Sequence, residues 1–96
     1  MRESELEIYF RKKVKDLGGL AVKFTSPGMA GVPDRLVLIG GCAIFVELKA
    51  EGKKLRPIQL YRKQQLEALG QTVQCLDSRD AVDEFIRKVN DAIRAT

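Results

Sequence analysis

Hydrophobic residues near the start of the chain recur at helical spacing. These residues are Leu6, Phe10, Val14 and Leu17. At about 100° per residue they form one narrow stripe, and the pair Gly18-Gly19 follows it as a stop signal. The pattern predicts a helix over Glu3–Leu17. On the same helical wheel the carboxylates of Glu3 and Glu7 lie on or beside the stripe, where an unpaired charge is costly.

Three apolar runs typical of β-strands come next. They are LAVKFT at Leu20–Thr25, RLVLI at Arg35–Ile39 and AIFVELK at Ala43–Lys49. A loop rich in Gly and Pro, Ser26–Pro33, separates the first two runs. The turn Gly40-Gly41 lies between the last two and predicts an antiparallel hairpin.

The remainder of the chain predicts a helix, a strand and a second helix. Pro57 suits the first position of a helix that runs to about Leu69, where Gly70 ends it. Thr72–Leu76 is typical of a short strand, and Ser78 can cap the last helix. The apolar face of that helix consists of Val82, Phe85, Ile86, Val89 and Ile93.

The predicted element order is α-β-β-β-α-β-α, in a single domain over residues 1–96. The crossover from the third strand to the fourth should be parallel and right-handed, while the hairpin is antiparallel. The sequence therefore predicts an α/β fold, with a small mixed sheet flanked by helices on both faces.

Composition excludes several kinds of chemistry. The chain has no His, which removes imidazole acid–base catalysis, His-dependent nucleophiles and His-containing zinc sites. A net charge of +4 is compatible with a polyanionic partner. Cys42 and Cys75 match no metal or redox spacing, and we expect reduced, buried thiols. No apolar run approaches the ~20 residues of a membrane span, so we expect an intracellular, soluble protein with no membrane partner.

Charged residues around the hairpin form the candidate site. Side chains alternate faces along a strand, so Glu47 and Lys49 share one face of an otherwise apolar run. Asp34 lies at the mouth of the facing strand, and the hairpin folds it back toward Glu47. A first-helix carboxylate, from Glu3 or Glu7, can close the group.

Carboxylates gathered in this way call for a cation. They repel one another at a few ångströms, and oxygen ligands without His or Cys suit Mg²⁺ or Mn²⁺. Such an ion polarises a phosphodiester and activates a water molecule. Lys49 can orient that water or stabilise the charge that develops on phosphate. The group predicts phosphodiester hydrolysis.

Residues next to this group are candidate DNA contacts. Lys53, Lys54 and Arg56 directly follow the strand that carries Glu47, and we expect them to bind phosphates without reading sequence. Ser26 borders the site on the glycine-rich loop, which can admit a nucleic-acid backbone closely. The alternative is that these basic residues are ordinary solvated charges.

Several motifs together resemble one nuclease family. They are Gly31-Val32-Pro33-Asp34-Arg35, Val46-Glu47-Leu48-Lys49 and Arg56-Pro57-Ile58-Gln59, preceded by Phe24-Thr25-Ser26-Pro27-Gly28 and by Glu3 and Glu7 in the first helix. They resemble the PD-(D/E)xK nuclease superfamily and, more narrowly, a stand-alone virus-type replication-repair nuclease (VRR-NUC) domain. The resemblance covers nearly the whole chain and implies a restriction-endonuclease-like fold.

The resemblance implies roles for particular positions. Asp34 and Glu47 would be metal ligands together with the carbonyl of Leu48, and Lys49 would be the catalytic lysine.

Two helices would complete the site. Glu7 would be the first-helix acid, as a ligand, with Glu3 as its competitor or helper. Gln59 would open the helix after the hairpin and reach back toward the metal ligands.

The family also implies a function. The implied protein is a divalent-metal-dependent endonuclease in DNA repair or in viral or phage replication. It would act as a homodimer that cuts branched DNA, four-way (Holliday) junctions in particular. Apolar residues of Val82–Ile93 or of Ile58–Leu69 would supply the dimer interface.

Other interpretations stay open. The chain can be a non-catalytic nucleic-acid-binding module on a nuclease fold, or a restriction-type nuclease, although no base-reading helix is evident. Glu47 and Lys49 can be ordinary charges at a sheet end. First-helix acids can complement a helix N-terminus, and Gln59 can simply occupy a first helical turn.

Overall fold

A computed structural model describes residues 1–95 of the chain. The elements are α1 (Glu3–Asp16), β1 (Leu20–Lys23), β2 (Arg35–Ile39), β3 (Cys42–Leu48), α2 (Pro57–Ala68), β4 (Thr72–Leu76) and α3 (Arg79–Arg94). The predicted order and fold class are confirmed. Differences are confined to the ends of elements. The largest is at β1, which ends at Lys23 because the chain turns away into the loop.

The four strands form one mixed sheet in the order β1-β2-β3-β4. The pairs β1–β2 and β2–β3 are antiparallel, and β3–β4 is parallel, as the crossover through α2 requires. The hairpin turn places Gly40 and Gly41 at φ values of 57° and 80°. Both values lie in the left-handed region, which explains why two glycines stand there.

Helices α1 and α3 cover one face of the sheet and enclose the hydrophobic core. Its most deeply buried side chains are Phe10, Leu6, Val14, Val37, Val46 and Val82. The α1 stripe and the α3 face predicted from spacing both point into this core. Ser78 caps α3, because its side-chain oxygen accepts a hydrogen bond from the Ala81 backbone N–H.

Helix α2 lies on the opposite face of the sheet, against β4. Strand β3 therefore divides its side chains between two environments. Val46 and Leu48 belong to the core, whereas Glu47 lies on the face that α2 partly covers. This division puts a carboxylate next to the core but outside it.

Two expectations about burial are wrong. Glu3 is exposed, because the first turn of α1 extends past the core even though its wheel angle lies near the stripe. Cys42 is also exposed, because it begins β3 next to the glycine turn, while Cys75 is half-buried; both thiols are free. Within residues 1–95, none of the helices is long and apolar enough to span a bilayer.

We predict that Gly31→Ala destabilises the protein by about 2–4 kcal/mol. Gly31 has a φ of 82°, and a Cβ atom there would lie 2.6 Å from the backbone oxygen of Ile58, so the loop before Asp34 packs directly on α2. Gly28→Ala is the matched control, because a Cβ atom at Gly28 meets nothing within 4 Å and its φ is not left-handed.

Urea unfolding monitored by circular dichroism measures both changes in the free energy of unfolding. Equal stability of the two variants would contradict this account of the loop.

Candidate active site

The hairpin register brings Asp34 and Glu47 together. Arg35 pairs with Val46, so one further step along both strands puts Asp34 across from Glu47 on the α2 side of the sheet. The backbone at Asp34 is fixed, because its carbonyl oxygen accepts a hydrogen bond of 2.9 Å from the Phe24 N–H. Two carboxylates therefore share one end of the sheet.

Glu47 is the most perturbed acid in this arrangement. The residue is only 8% exposed. Burial, followed by the negative charge of Asp34, raises the pKa of Glu47 from 4.5 to about 7. The charge of Lys49 and a hydrogen bond from the Asp34 backbone lower this pKa, while Glu3 raises it slightly. For the ionised Glu47 carboxylate, the favourable effects of Lys49 and of the hydrogen bond are therefore smaller than the unfavourable effects of burial and of the Asp34 charge.

Lys49 lies beside Glu47 but does not form a hydrogen-bonded ion pair with it. Its Nζ atom lies 3.9 Å from Glu47 Oε2, beyond hydrogen-bond distance, and its side chain is 14% exposed. The Lys49 backbone N–H donates to the carbonyl oxygen of Leu76 at 3.0 Å. This hydrogen bond extends the β3–β4 pairing and fixes the position of the Lys49 backbone. The ammonium group is therefore available to a ligand in the site.

One oxygen of Asp34 has no partner. Asp34 Oδ2 lies 3.3 Å from Nη1 of Arg35. Oδ1 is buried and accepts no hydrogen bond, although about half of the side chain is exposed. A buried oxygen without a donor is uncommon in a folded protein, and a bound water or cation is one explanation for it.

The two first-helix acids have different environments. Glu7 is half-buried, and its Oε2 atom lies 2.7 Å from Nη2 of Arg35. Glu3 is exposed but lies close enough to raise the pKa of Glu47. The inward lean of Glu7 is therefore explained by a cationic partner, and its role as a metal ligand stays a prediction, as does that of Glu3.

No role was predicted from the sequence for Arg35, the cationic partner of Glu7. Arg35 is the last residue of the GVPDR motif. It also shares a face of β2 with Val37 and Ile39, which belong to the core. A charge at a core-facing position requires a counter-charge from a neighbouring element. That alternation, read together with the inward lean of Glu7, is the signal that could have identified the pair.

The donor set at this end of the sheet fits a hard dication. Asp34 and Glu47 would supply carboxylate oxygens, and the Leu48 carbonyl stays a predicted third ligand. In residues 1–95, no group of three or more His, Cys, Asp and Glu side chains is arranged to hold a metal ion. A site here would rest on two carboxylates, backbone oxygen and water, which is how Mg²⁺ is commonly bound.

Gln59 and Lys63 approach the same region from α2. Gln59 is 7% exposed, and its Oε1 atom accepts a hydrogen bond of 2.8 Å from the Arg56 N–H, which caps the helix. Both side chains line a small cleft together with Glu47. Gln59 therefore has a structural task in the first helical turn in addition to its position near the carboxylates. Lys63 is not among the site residues predicted from the sequence.

The candidate DNA contacts surround this end of the molecule. Lys53, Lys54 and Arg56 are exposed on the segment between β3 and α2. Ser26 is half-buried in the loop after β1, where its carbonyl oxygen accepts a hydrogen bond from the Met29 N–H at 3.2 Å. Their contacts with DNA stay a prediction.

Comparison with known proteins identifies the family. A scan against models of protein families finds no match. A curated phage protein, "Putative nuclease p44" of Acyrthosiphon pisum secondary endosymbiont phage 1, is 49% identical over 81 residues, which cover 83% of this chain and 87% of the relative. A solved structure described as "VRR_NUC domain" superimposes with a TM-score of 0.83 at 34% identity, over 91% of this chain and 96% of the other. The chain belongs to the VRR-NUC family.

The family resemblance inferred from the motifs is thereby confirmed. The element order and the mixed sheet of the present chain agree with those expected from its sequence and with a VRR-NUC fold. The family supports nuclease activity for the chain.

We predict that the stability of the metal-free domain falls as pH rises from about 4.5 to about 7. In this window the unfolded Glu47 carboxyl is ionised while the folded one retains its proton, because its pKa is raised to about 7. Folding then takes up a proton, so rising pH disfavours it, by at most about 3 kcal/mol. Glu47→Gln should remove most of this dependence and stabilise the protein at pH 8.

Urea unfolding in EDTA between about pH 5 and pH 8 measures the effect. An identical pH dependence in the wild type and in Glu47→Gln would show that Glu47 is not the titrating group.

Proposed function

We propose that this VRR-NUC domain is a divalent-metal-dependent DNA endonuclease. The observation that carries the proposal is the buried carboxyl group of Glu47, across the hairpin from Asp34 and with Lys49 Nζ 3.9 Å from its Oε2 atom. A pair of repelling acids is costly to the fold unless a ligand compensates it. The nuclease names of the relative and of the superimposed domain support the same reaction class.

Asp34, Glu47 and the carbonyl of Leu48 would hold Mg²⁺ or Mn²⁺. The chemistry that such an ion supplies when bound is polarisation of the scissile phosphate and activation of a water molecule. Glu47 would lose its proton on binding the ion, because only the ionised carboxylate is a strong ligand. Ion binding should therefore be stronger above pH 7 than below it.

Lys49 would act on the reacting atoms. Its side chain is largely buried, and its Nζ atom lies beyond hydrogen-bond distance of Glu47 Oε2. It can donate to a non-bridging phosphate oxygen and stabilise the charge that develops there, or orient the attacking water. Gln59 borders the site but is engaged in capping α2. Its proposed role is therefore to support the wall of the site.

The substrate would be held mainly through phosphates. Lys53, Lys54 and Arg56 project from the segment that directly follows the catalytic strand. Contacts of this kind position a nucleic acid without reading its bases. The described fold has three helices, each packed on the sheet or on its neighbours, and no appended recognition element, which favours structure-specific over sequence-specific cleavage.

We further propose that a homodimer cuts four-way junctions. Two symmetric strand cuts require two active sites, and a C₂ pair of these domains would supply them. Helix α2 leaves Ile58, Leu60 and Tyr61 exposed, as is Leu69 directly after its last residue. In contrast, the apolar face of α3 is used in the domain's own core. Of the two interfaces expected from sequence, α2 is the better supported.

A non-catalytic binding module is the second candidate. The basic segment Lys53–Arg56 is compatible with it. The carboxylate pair argues against it, because acids that face a bound phosphate weaken binding unless a cation intervenes. Cleavage distinguishes the two candidates.

We predict that the wild type cleaves DNA with Mg²⁺ or Mn²⁺ and that Lys49→Ala lowers the rate at least ~100-fold, because charge stabilisation is lost. The control is Lys88→Ala, which removes an ammonium 70% exposed on α3 and should leave the rate unchanged. Labelled four-way junction, flap and linear duplex are compared in single-turnover assays. Cleavage that persists in EDTA, or full activity of Lys49→Ala, would refute the mechanism.

We predict that Tyr61→Glu/Leu69→Glu converts the dimer to a monomer, because two charges would be buried at the interface. Ile8→Glu is the matched control, since Ile8 is 72% exposed on α1, away from α2. Sedimentation velocity measures the oligomeric state, and junction cleavage by the double variant should yield single nicks. A wild type that sediments as a monomer would refute the dimer and leave the nuclease proposal standing.

A further inference from the structure

Arg35 is a buried charge that the proposed reaction does not use. It is the first residue of β2, is 7% exposed, and lies on the core-facing side of the strand. An arginine at such a position is strongly unfavourable unless its guanidinium group is paired. Its partners therefore indicate what it does.

The guanidinium group joins helix α1 to the active-site strand. Nη2 lies 2.7 Å from Glu7 Oε2. Nη1 lies 3.3 Å from Asp34 Oδ2 and donates to the Asp34 carbonyl oxygen at 3.0 Å. One nitrogen thus contacts both the main chain and the side chain of Asp34, which restricts the rotation of its carboxylate.

This contact leaves the two oxygens of Asp34 in different states. Oδ2 is engaged by the guanidinium, whereas Oδ1 is buried and has no hydrogen-bond partner. Asp34 also stands across from Glu47 in the extended hairpin register. Carboxylates that bind metal ions are commonly hydrogen-bonded by a second residue, and the unengaged oxygen of Asp34 is left for a cation.

We propose that Arg35 is a positioning residue that orients Asp34 for the cation, and that Glu7 serves this purpose indirectly by neutralising Arg35. The proposal rests on the proposed metal-dependent function. It assigns Glu7 to the support of a ligand, in place of direct coordination.

Charge explains why both partners are needed. A lone guanidinium next to Asp34 would repel an approaching dication and weaken its binding. Glu7 cancels that charge, so the triad retains the single negative charge of Asp34. The planar fork of Arg can contact both acids at once, whereas the single ammonium of Lys cannot do so with the same geometry.

The test separates positioning from charge. Glu7→Gln/Arg35→Met removes one charge of each sign and keeps the net charge of the triad, while Arg35→Lys keeps Glu7 and so separates the loss of positioning from the loss of a Glu7 ligand. We expect this variant to bind Mn²⁺ 10- to 100-fold more weakly than the wild type in isothermal titration calorimetry. Glu7→Gln alone should also weaken binding, through repulsion, and recover in high salt because screening reduces that repulsion.

Folding is monitored by urea unfolding in EDTA, and Arg35→Lys provides a variant that keeps the charge if the double variant fails to fold. Weaker Mn²⁺ binding by a folded Arg35→Lys supports the proposal, since a merely structural role would not alter metal affinity. Wild-type affinity in a folded Glu7→Gln/Arg35→Met or Arg35→Lys overturns it. No Mn²⁺ binding by the wild type would overturn the metal-dependent function itself, and the positioning role with it.

Discussion

The burial of Glu47 beside Asp34 is the constraint on which the rest of this site depends. Burial removes the water that would hydrate the ionised Glu47 carboxylate, and the hairpin places the negative charge of Asp34 across from it. The result is a pKa of about 7 for Glu47. A fold that keeps such a pair without a ligand gives up stability, and a dication between the two acids would recover it.

Much of the fold can be understood as support for this pair. The left-handed turn at Gly40 and Gly41 sets the register that aligns the two acids. The close approach of Gly31 to Ile58 fixes the loop that precedes Asp34. On the other side of the sheet, Arg35 and Glu7 connect Asp34 to α1. The site is thus held from both faces, although its carboxylates lie on only one.

The sequence was sufficient to predict the features that follow from periodicity and turns. The hairpin, the parallel crossover and the shared face of Glu47 and Lys49 all follow from a period of two and from glycine positions. Burial was less predictable. A wheel gives the angle of Glu3 but not how far the first turn extends past the core. Likewise, Cys42 is a small apolar residue whose exposure depends on its place beside a turn. The Arg35–Glu7 pair joins residues far apart in the chain, so it can be predicted only by combining the core-facing position of Arg35 with the inward lean of Glu7.

The central claim is that Asp34 and Glu47 bind one dication between them, and an anomalous difference map from crystals soaked in Mn²⁺ tests it most directly. We predict a single strong peak per chain within about 2.5 Å of a carboxylate oxygen from each residue. On Asp34, the oxygen concerned should be Oδ1. Well-ordered crystals in which the two carboxylates face each other with no Mn²⁺ peak between them would contradict the account.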